Sequence, residues 1–155
     1  MSTRRLRLVL LTPEDAADML AGRRQSRWHP GYPRADDVAA ASLVRAGAAE
    51  VDPWGPRHVV HEQQAVGGIG FFGPPVDGEV EVGYGLVEDA RGQGLATEAL
   101  AALLTETDRL GVRVRACVSP SNRASIRILA AAGFTELRGS TPDGELVMGR
   151  PLGST

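Results

Sequence analysis

The segment Arg91-Gly92-Gln93-Gly94-Leu95-Ala96-Thr97 joins a predicted strand, residues 79–87, to a predicted helix, residues 95–110. The strand alternates in side-chain character, and Gly111 is expected to end the helix. Without a Cβ, glycine lets backbone N–H groups approach an anion closely, and the positive end of a helix adds to the attraction. The segment therefore predicts a phosphate site. The apolar stripe expected on the helix is Ala96, Leu100, Leu103, Thr107 and Leu110.

A glycine-rich turn has three other interpretations. A nucleoside-triphosphate loop needs Lys followed by Ser or Thr after the glycines, and that pair is missing. The dinucleotide fingerprint needs the spacing Gly-x-Gly-x-x-Gly, which the segment also lacks. A structural turn that binds no ligand is consistent with the local pattern alone.

The rest of the chain predicts α+β architecture, with a mixed and mostly antiparallel sheet flanked by about four helices. We expect one domain over residues 1–152 and a short tail at 153–155. Expected strands cover Arg5–Leu11, His58–His61, Ala65–Phe72, Glu79–Val87, Val112–Val118, Phe134–Leu137 and Leu146–Met148. Expected helices run from Pro13 to about Ala21, from Ala35 to Ala46, from Leu95 to Leu110, and from a cap at Ser121 or Asn122 to Gly133.

Composition excludes several functional classes. With a net charge of -2, the chain has no overall positive field that would attract nucleic acid, and no apolar run is long enough to span a membrane. We therefore predict a cytoplasmic protein with no nucleic-acid or membrane partner. The single cysteine, Cys117, cannot form an internal disulfide, and His58 and His61 face opposite sides of their predicted strand. No metal site is predicted.

Three segments together resemble the GNAT superfamily of N-acetyltransferases. Arg91 to Ala96 is similar to its Arg/Gln-x-x-Gly-x-Gly/Ala signature, with alanine in the last small position. Residues 81–87 resemble its fourth strand, and Asn122-x-x-Ser125 with Gly133-Phe134 resembles its later helix. The resemblance is nearest to the ribosomal-protein-alanine acetyltransferase type. It covers residues 65–137 well and the first half of the chain only by element order.

The resemblance implies that acetyl-CoA is the acyl donor and that no metal takes part. It implies a sheet splayed between the fourth and fifth strands, with the pantetheine arm on the open edge at Leu86 and Val87. A backbone N–H near Leu86 would polarise the thioester carbonyl. The pyrophosphate contacts that it implies are Arg91, Gly92, Gln93, Gly94, Leu95, Ala96 and Thr97.

An attacking amine must be neutral, so the reaction needs a route for its proton. By the period of two, Glu79 and Glu81 share one face of the fourth strand. Glu81 is the candidate base, directly or through water, and Glu79 is the weaker candidate. A solvated face without catalytic role is the alternative for both.

The departing thiolate needs a proton or a hydrogen bond. Many family members use a tyrosine at the position that here is Leu129, so this chain departs from the pattern. Ser125, one turn nearer the helix start, is the substitute donor, or else a small packed residue. Asn122 is either a helix cap alone or also a cofactor contact.

The acceptor pocket is less well marked. Trp28 and Tyr32, in a proline-rich loop, are expected to line it, with a small aromatic cluster that includes Trp54 as the alternative. Cys117 is interpreted as a reduced, buried thiol.

We expect an N-acetyltransferase that acts by direct attack of a primary amine. The acceptor is either a protein N-terminus or a small molecule, and a strongly acidic pocket would favour a polyamine or an aminoglycoside. The scattered acids Asp36, Asp37, Glu50 and Asp52 leave this open. A non-catalytic acyl-CoA-binding or sensing module is the alternative function, and a homodimer is possible.

Overall fold

A seven-stranded sheet forms the centre of the structure, a computed structural model that describes residues 1–45 and 53–153. The predicted α+β class is confirmed. The strands are β1 Leu6–Leu10, β2 Arg57–His61, β3 Gln64–Phe71, β4 Glu79–Leu86, β5 Arg113–Val118, β6 Glu136–Ser140 and β7 Leu146–Arg150. The helices are α1 Pro13–Ala21, α2 Ala35–Arg45, α3 Leu95–Leu110 and α4 Arg123–Ala131, with a 3₁₀ turn at Glu88–Ala90.

The sheet order is β1-β2-β3-β4-β5-β7-β6, and β4–β5 is its parallel pair. Parallel neighbours need a crossover connection, which α3 supplies. Pairing between β4 and β5 ends at Val82 and Ala116, although β4 continues to Leu86 and β5 to Val118. The two strands therefore splay apart, as predicted, and leave a gap in the middle of the sheet.

The helices divide between the two faces of the sheet. On β7, Arg150 binds both Asp108 of α3 and the carbonyl of Ala132 at the end of α4, so these helices share a face. On the opposite face, His58 of β2 contacts Asp15 of α1. We call these the α3/α4 face and the α1/α2 face. Under α3 lies much of the apolar core, including Val80, Val82, Leu100, Leu103 and Val114.

The ends of the helices follow local chemistry. Thr12 caps α1 through the amide of Asp15, whose carboxylate accepts from the Thr12 amide in return. Gly111, in a left-handed conformation, ends α3 as predicted.

Two details differ from the sequence prediction. Leu110 is 41% exposed, whereas Leu95, Ala99 and Leu104 are buried, so the apolar stripe on α3 is rotated from the predicted one. Phe134 does not begin a strand; its amide bonds to the Leu129 carbonyl, and its side chain is buried in the core. Burial of that large ring outweighs strand propensity.

Ala46, predicted as the end of the second helix, lies outside the described residues, as do Glu50, Asp52 and the end of the predicted tail. Every helix in the described part of the chain is too short or too polar to cross a lipid bilayer.

Candidate active site

The gap between β4 and β5 opens into a cleft of about 500 Å³. Its walls come from α2, β3, β4, β5 and α4, which bring together residues far apart in sequence. The chemically active side chains that line it include Asp37, Glu81, Tyr84, Cys117, Asn122 and Ser125.

Backbone direction on β4 identifies the groups that face the gap. The Phe72 amide bonds to the Glu81 carbonyl, and the Val87 amide bonds to the Val66 carbonyl at 2.8 Å. Odd-numbered residues of β4 are thus paired with β3. Peptide groups alternate in direction along a strand, so the amides of Tyr84 and Leu86 point toward the gap. The predicted open edge at Leu86 exists, while the Val87 amide is already occupied.

The loop at residues 91–94 enters α3 through two glycines with positive φ, Gly92 at 77° and Gly94 at 78°. Gly94 is the N-cap residue and has no side-chain cap bond. The amides of the first turn of α3, Leu95 to Thr97, therefore point out of the helix without a capping side chain. Such a terminus fits a phosphate group.

The side chains of this loop turn back onto the protein. Arg91 Nε donates to the Leu86 carbonyl at 3.1 Å, and Gln93 Nε2 donates to the Asp89 carbonyl at 3.3 Å. The free surface of the loop is therefore formed by its backbone more than by these side chains.

Arg5 is a neighbour of the loop that sequence reasoning missed. Its Nη1 donates to the Gln93 carbonyl at 2.9 Å, and its Nε lies 2.8 Å from Glu98. Hydrogen bonds from Thr3 and Arg5 lower the pKa of Glu98 to about 2. No local pattern signals a contact across 88 residues of sequence.

On the α1/α2 face, arginines bind both glutamates of β4. Glu81 lines the cleft and lies 3.3 Å from Arg115 Nε. Glu79 is bound by Arg115 at 3.2 Å and by Arg138 at 2.6 Å. Burial opposes ionisation of Glu79, but these arginines outweigh it and lower its pKa. Glu79 does not line the cleft, so the structure brings only Glu81 to it.

A partly buried ion pair lies over the same face. The carboxylate of Asp37 accepts from Arg34 Nε and Nη2, each at 3.2 Å, and is 7% exposed. A Cβ on Gly85 would meet Arg34, and one on Gly68 would meet Asp37, each within 2.3 Å. Burial raises the pKa of Asp37 although Arg34 opposes the shift.

On the α3/α4 face, the Tyr84 hydroxyl lies 2.7 Å from Ser125 Oγ. Asn122 Oδ1 accepts from the Ser125 amide at 3.2 Å and so caps α4, as predicted. Leu129, at the position of the family's tyrosine, is 1% exposed. Sequence reasoning missed Tyr84, because a lone tyrosine in a strand carries no local signal of a contact with a later helix.

The aromatic residues of the first loop form part of a buried cluster. The rings of Trp28 and Tyr32 meet edge to face, with centroids 5.9 Å apart. The Tyr32 hydroxyl lies 2.7 Å from His58 Nδ1, whose Nε2 lies 3.0 Å from Asp15. Tyr32 contributes to the cleft wall, whereas Trp28 lies behind it in the core.

Cys117 lies on β5 beside Glu81 in the cleft and is partly buried, not fully buried as predicted, because the cleft opens its side chain to solvent. Burial and then the charge of Glu81 raise the pKa of its thiol, which keeps the thiol protonated. Among the residues that the structure describes, no three His, Cys, Asp or Glu side chains are grouped as a metal site requires.

Comparison with known proteins agrees with this geometry. Residues 5–135 match the family model described as the acetyltransferase (GNAT) domain. A chain from Bordetella pertussis assigned to GNAT acetyltransferases is 28% identical, with 97% of this chain and 98% of that one covered and a TM-score of 0.71. No curated protein matches.

Two solved structures of lower identity share the fold. The ribosomal-protein-S5-alanine acetyltransferase from Vibrio fischeri is 17% identical, with a TM-score of 0.67 and coverage of 98% and 96%. AAC(6')-Ib in complex with paromomycin and acetyl-CoA is 23% identical, with a TM-score of 0.66 and coverage of 95% and 93%.

Proposed function

The chain belongs to the GNAT family of acetyltransferases, and from this premise we propose that it transfers an acetyl group from acetyl-CoA to a primary amine by direct attack. One observation carries the proposal: the gap between β4 and β5 has beside it the loop that enters α3 through two left-handed glycines, and has the Glu81 carboxylate on its other side. A single site thus offers contacts for the donor and a route for the amine proton.

The donor is proposed to lie on the α3/α4 face. Its pyrophosphate would be held by the loop amides from Arg91 to Ala96, with Thr97 alongside and Arg5 adding positive charge. The residues fit this group, because two glycines in the left-handed region keep the approach free of side chains. Asn122, at the start of α4, is a further proposed contact.

The thioester is proposed to lie in the gap. Its pantetheine arm, which resembles a peptide, would pair with the open edge of β4 near Leu86 and Val87. The Leu86 amide would polarise the carbonyl, since Val87 already donates to Val66. Removing one such donor commonly costs about 10²–10³ in rate.

The amine is proposed to enter from the α1/α2 face, where Glu81 takes its proton through water. Nitrogen bonds to the carbonyl carbon, the carbon–sulfur bond breaks, and its electron pair stays on sulfur. Arg115 holds the Glu81 carboxylate in the cleft at 3.3 Å. On the opposite face, the hydroxyl pair of Tyr84 and Ser125 would stabilise the departing thiolate.

We propose that the acceptor is a small amine and not a protein N-terminus. The acids Asp36, Asp37, Glu81 and Glu145 reach the cleft from α2, β4 and the loop before β7, against the arginines Arg34 and Arg57. An excess of carboxylates favours an acceptor with several positive charges, such as a polyamine or an aminoglycoside, over the single charge of an N-terminal amine. AAC(6')-Ib, which shares the fold, was solved with paromomycin. The cytoplasmic location and the homodimer stay predictions.

Calorimetric titration with acetyl-CoA, followed by thiol release against a panel of amines and N-terminal peptides, tests the proposal. Micromolar binding with release for one acceptor class is expected. Binding without release for any acceptor would favour the sensing module, and absence of binding would refute the donor assignment.

A further inference from the structure

Two hydroxyl groups meet where the sheet opens. Tyr84 is the second residue of β4 beyond its last pair with β5, Val82 with Ala116, and its hydroxyl lies 2.7 Å from Ser125 Oγ. Both residues line the cleft. The contact joins a strand to a helix that lies 41 residues later in the chain.

The thioester position proposed above puts Tyr84 near the atoms that react. It precedes Leu86 by two residues on the same face of β4, which corresponds to about 7 Å along a strand. The Leu86 amide is the proposed contact of the thioester carbonyl, and the departing sulfur is bonded to that carbonyl carbon. A tyrosine side chain is long enough to reach an atom at this separation.

The two hydroxyls differ in acidity. A phenol has an ordinary pKa near 10, close to about 8.5 for a thiol, whereas an aliphatic hydroxyl is a far weaker acid. A hydrogen bond to a thiolate therefore favours the phenol as donor. Burial raises the pKa of Tyr84 and the Ser125 contact opposes this, so the phenol keeps its proton at neutral pH.

We propose that Tyr84 is the catalytic residue that donates a hydrogen bond to the departing sulfur, and that Ser125 is a positioning residue that donates to the Tyr84 oxygen. The inference rests on the acetyl-CoA-dependent transfer proposed above. It assigns to β4 the role that the family resemblance places at the position of Leu129, which is buried here.

The chemistry balances without another reactant. As the carbon–sulfur bond breaks, its electron pair stays on sulfur, and the hydrogen bond from Tyr84 stabilises that charge. The amine proton leaves by the opposite face toward Glu81. The thiolate takes a proton from solvent when CoA is released, so Tyr84 ends each turnover in its starting state.

Free CoA tests the assignment without knowledge of the acceptor. The pKa of the bound thiol is measured from the ultraviolet absorbance of the thiolate during pH titration of the protein–CoA complex. The wild type should lower the thiol pKa relative to free CoA. In Tyr84→Phe the thiol pKa should be about one unit higher than in the wild type. Ser125→Ala should raise it less, because the phenol remains.

Three controls separate this role from a structural one. Ser125→Thr keeps a hydroxyl and should retain most of the wild-type lowering. Ser121→Ala, a hydroxyl deletion whose partner is Ser119 Oγ at 2.9 Å, should match the wild type. Desulfo-CoA, which lacks the thiol, should bind Tyr84→Phe and wild type equally.

The outcomes are distinguishable. An unchanged thiol pKa in Tyr84→Phe, with desulfo-CoA binding intact, would overturn the role of Tyr84 and leave the proposed transfer standing. A larger rise in Ser125→Ala than in Tyr84→Phe would assign the donor to Ser125 and also overturn it. Absence of CoA binding by the wild type would refute the proposed function and this inference together.

Discussion

Arg115 Nε lies 3.3 Å from Oε1 of Glu81, and the same guanidinium binds Glu79 through Nη1 at 3.2 Å. One arginine thus holds two carboxylates of β4 on one face of the sheet. Only Glu81 lines the cleft, because Glu79 lies nearer the turn at Gly78 and also binds Arg138. The pair provides a proposed base and a matched control two residues away.

Glu81→Gln should slow acetyl transfer roughly 10²-fold, the lower range for loss of a general base. Its affinity for acetyl-CoA should stay near that of the wild type, because the cofactor is proposed to contact the opposite face. The measurement is kcat by thiol release beside calorimetric Kd.

Glu79→Gln is the control for Glu81→Gln. It removes a carboxylate that binds the same arginine but lies outside the cleft. It should change kcat by less than about threefold, within the range of a partly exposed ion pair. Full activity in Glu81→Gln, or equal losses in both variants, would remove Glu81 from the mechanism.

Gly92→Val should abolish detectable acetyl-CoA binding. Its φ of 77° is strained for a β-branched residue, and the loop must change shape to relieve the strain. Gly111→Val places the same strain, at φ 71°, at the other end of α3. Thermal unfolding should shift similarly in both variants, and calorimetry should show lost binding only in Gly92→Val. Retained binding in Gly92→Val would contradict the phosphate role.

Arg5→Gln should weaken acetyl-CoA binding about fivefold, since a partly exposed charge-assisted contact is worth roughly 1 kcal/mol. Arg5 holds the Gln93 carbonyl and adds positive charge beside the loop. Exposed Arg4 is the control, and Arg4→Gln should bind like the wild type. Calorimetry at low and high salt should show the difference shrinking as salt increases. Equal affinity in the two variants would place Arg5 outside the site.

Asp15 should make the fold sensitive to acid. Burial opposes its ionisation, but the hydrogen bonds from His58, Gln25 and the Thr12 backbone lower its pKa to about 2. A depressed carboxyl pKa contributes stability above the unfolded value, near 3.9, and that stability is lost as the pH falls toward 2. The contribution is about 2.5 kcal/mol. Burial also lowers the pKa of His58. The fold therefore loses further stability as the pH falls below the pKa that His58 has in the unfolded chain.

Asp15→Asn should therefore melt at a lower temperature than the wild type at neutral pH and lose less stability between pH 4 and 2. Calorimetric melting across this range is the measurement. Asp143→Asn, at an exposed turn, should follow the wild-type curve. An acid dependence in Asp15→Asn as steep as that of the wild type would show that other groups control it.

Sequence reasoning predicted the glycine-rich loop before α3 and the order of strands and helices. These depend on local signals: alternation along β4, two glycines before a helix, and a glycine after it. The splayed strand pair was implied by the family resemblance. Sequence reasoning missed Arg5 and Tyr84, because a lone arginine at a strand start and a lone tyrosine in a strand are ordinary residues.

The order of elements and the position of the glycine-rich loop are properties of the chain itself, since hydrophobic period and glycine spacing act within a few residues. The folded molecule decides three further features: which of Glu79 and Glu81 lines the cleft, which side chain contacts Ser125, and whether Trp28 is buried. Each depends on which side chains the sheet register and helix packing bring within about 3 Å. Contacts such as Arg5–Gln93 and Tyr84–Ser125 join residues 88 and 41 positions apart, and packing alone sets them.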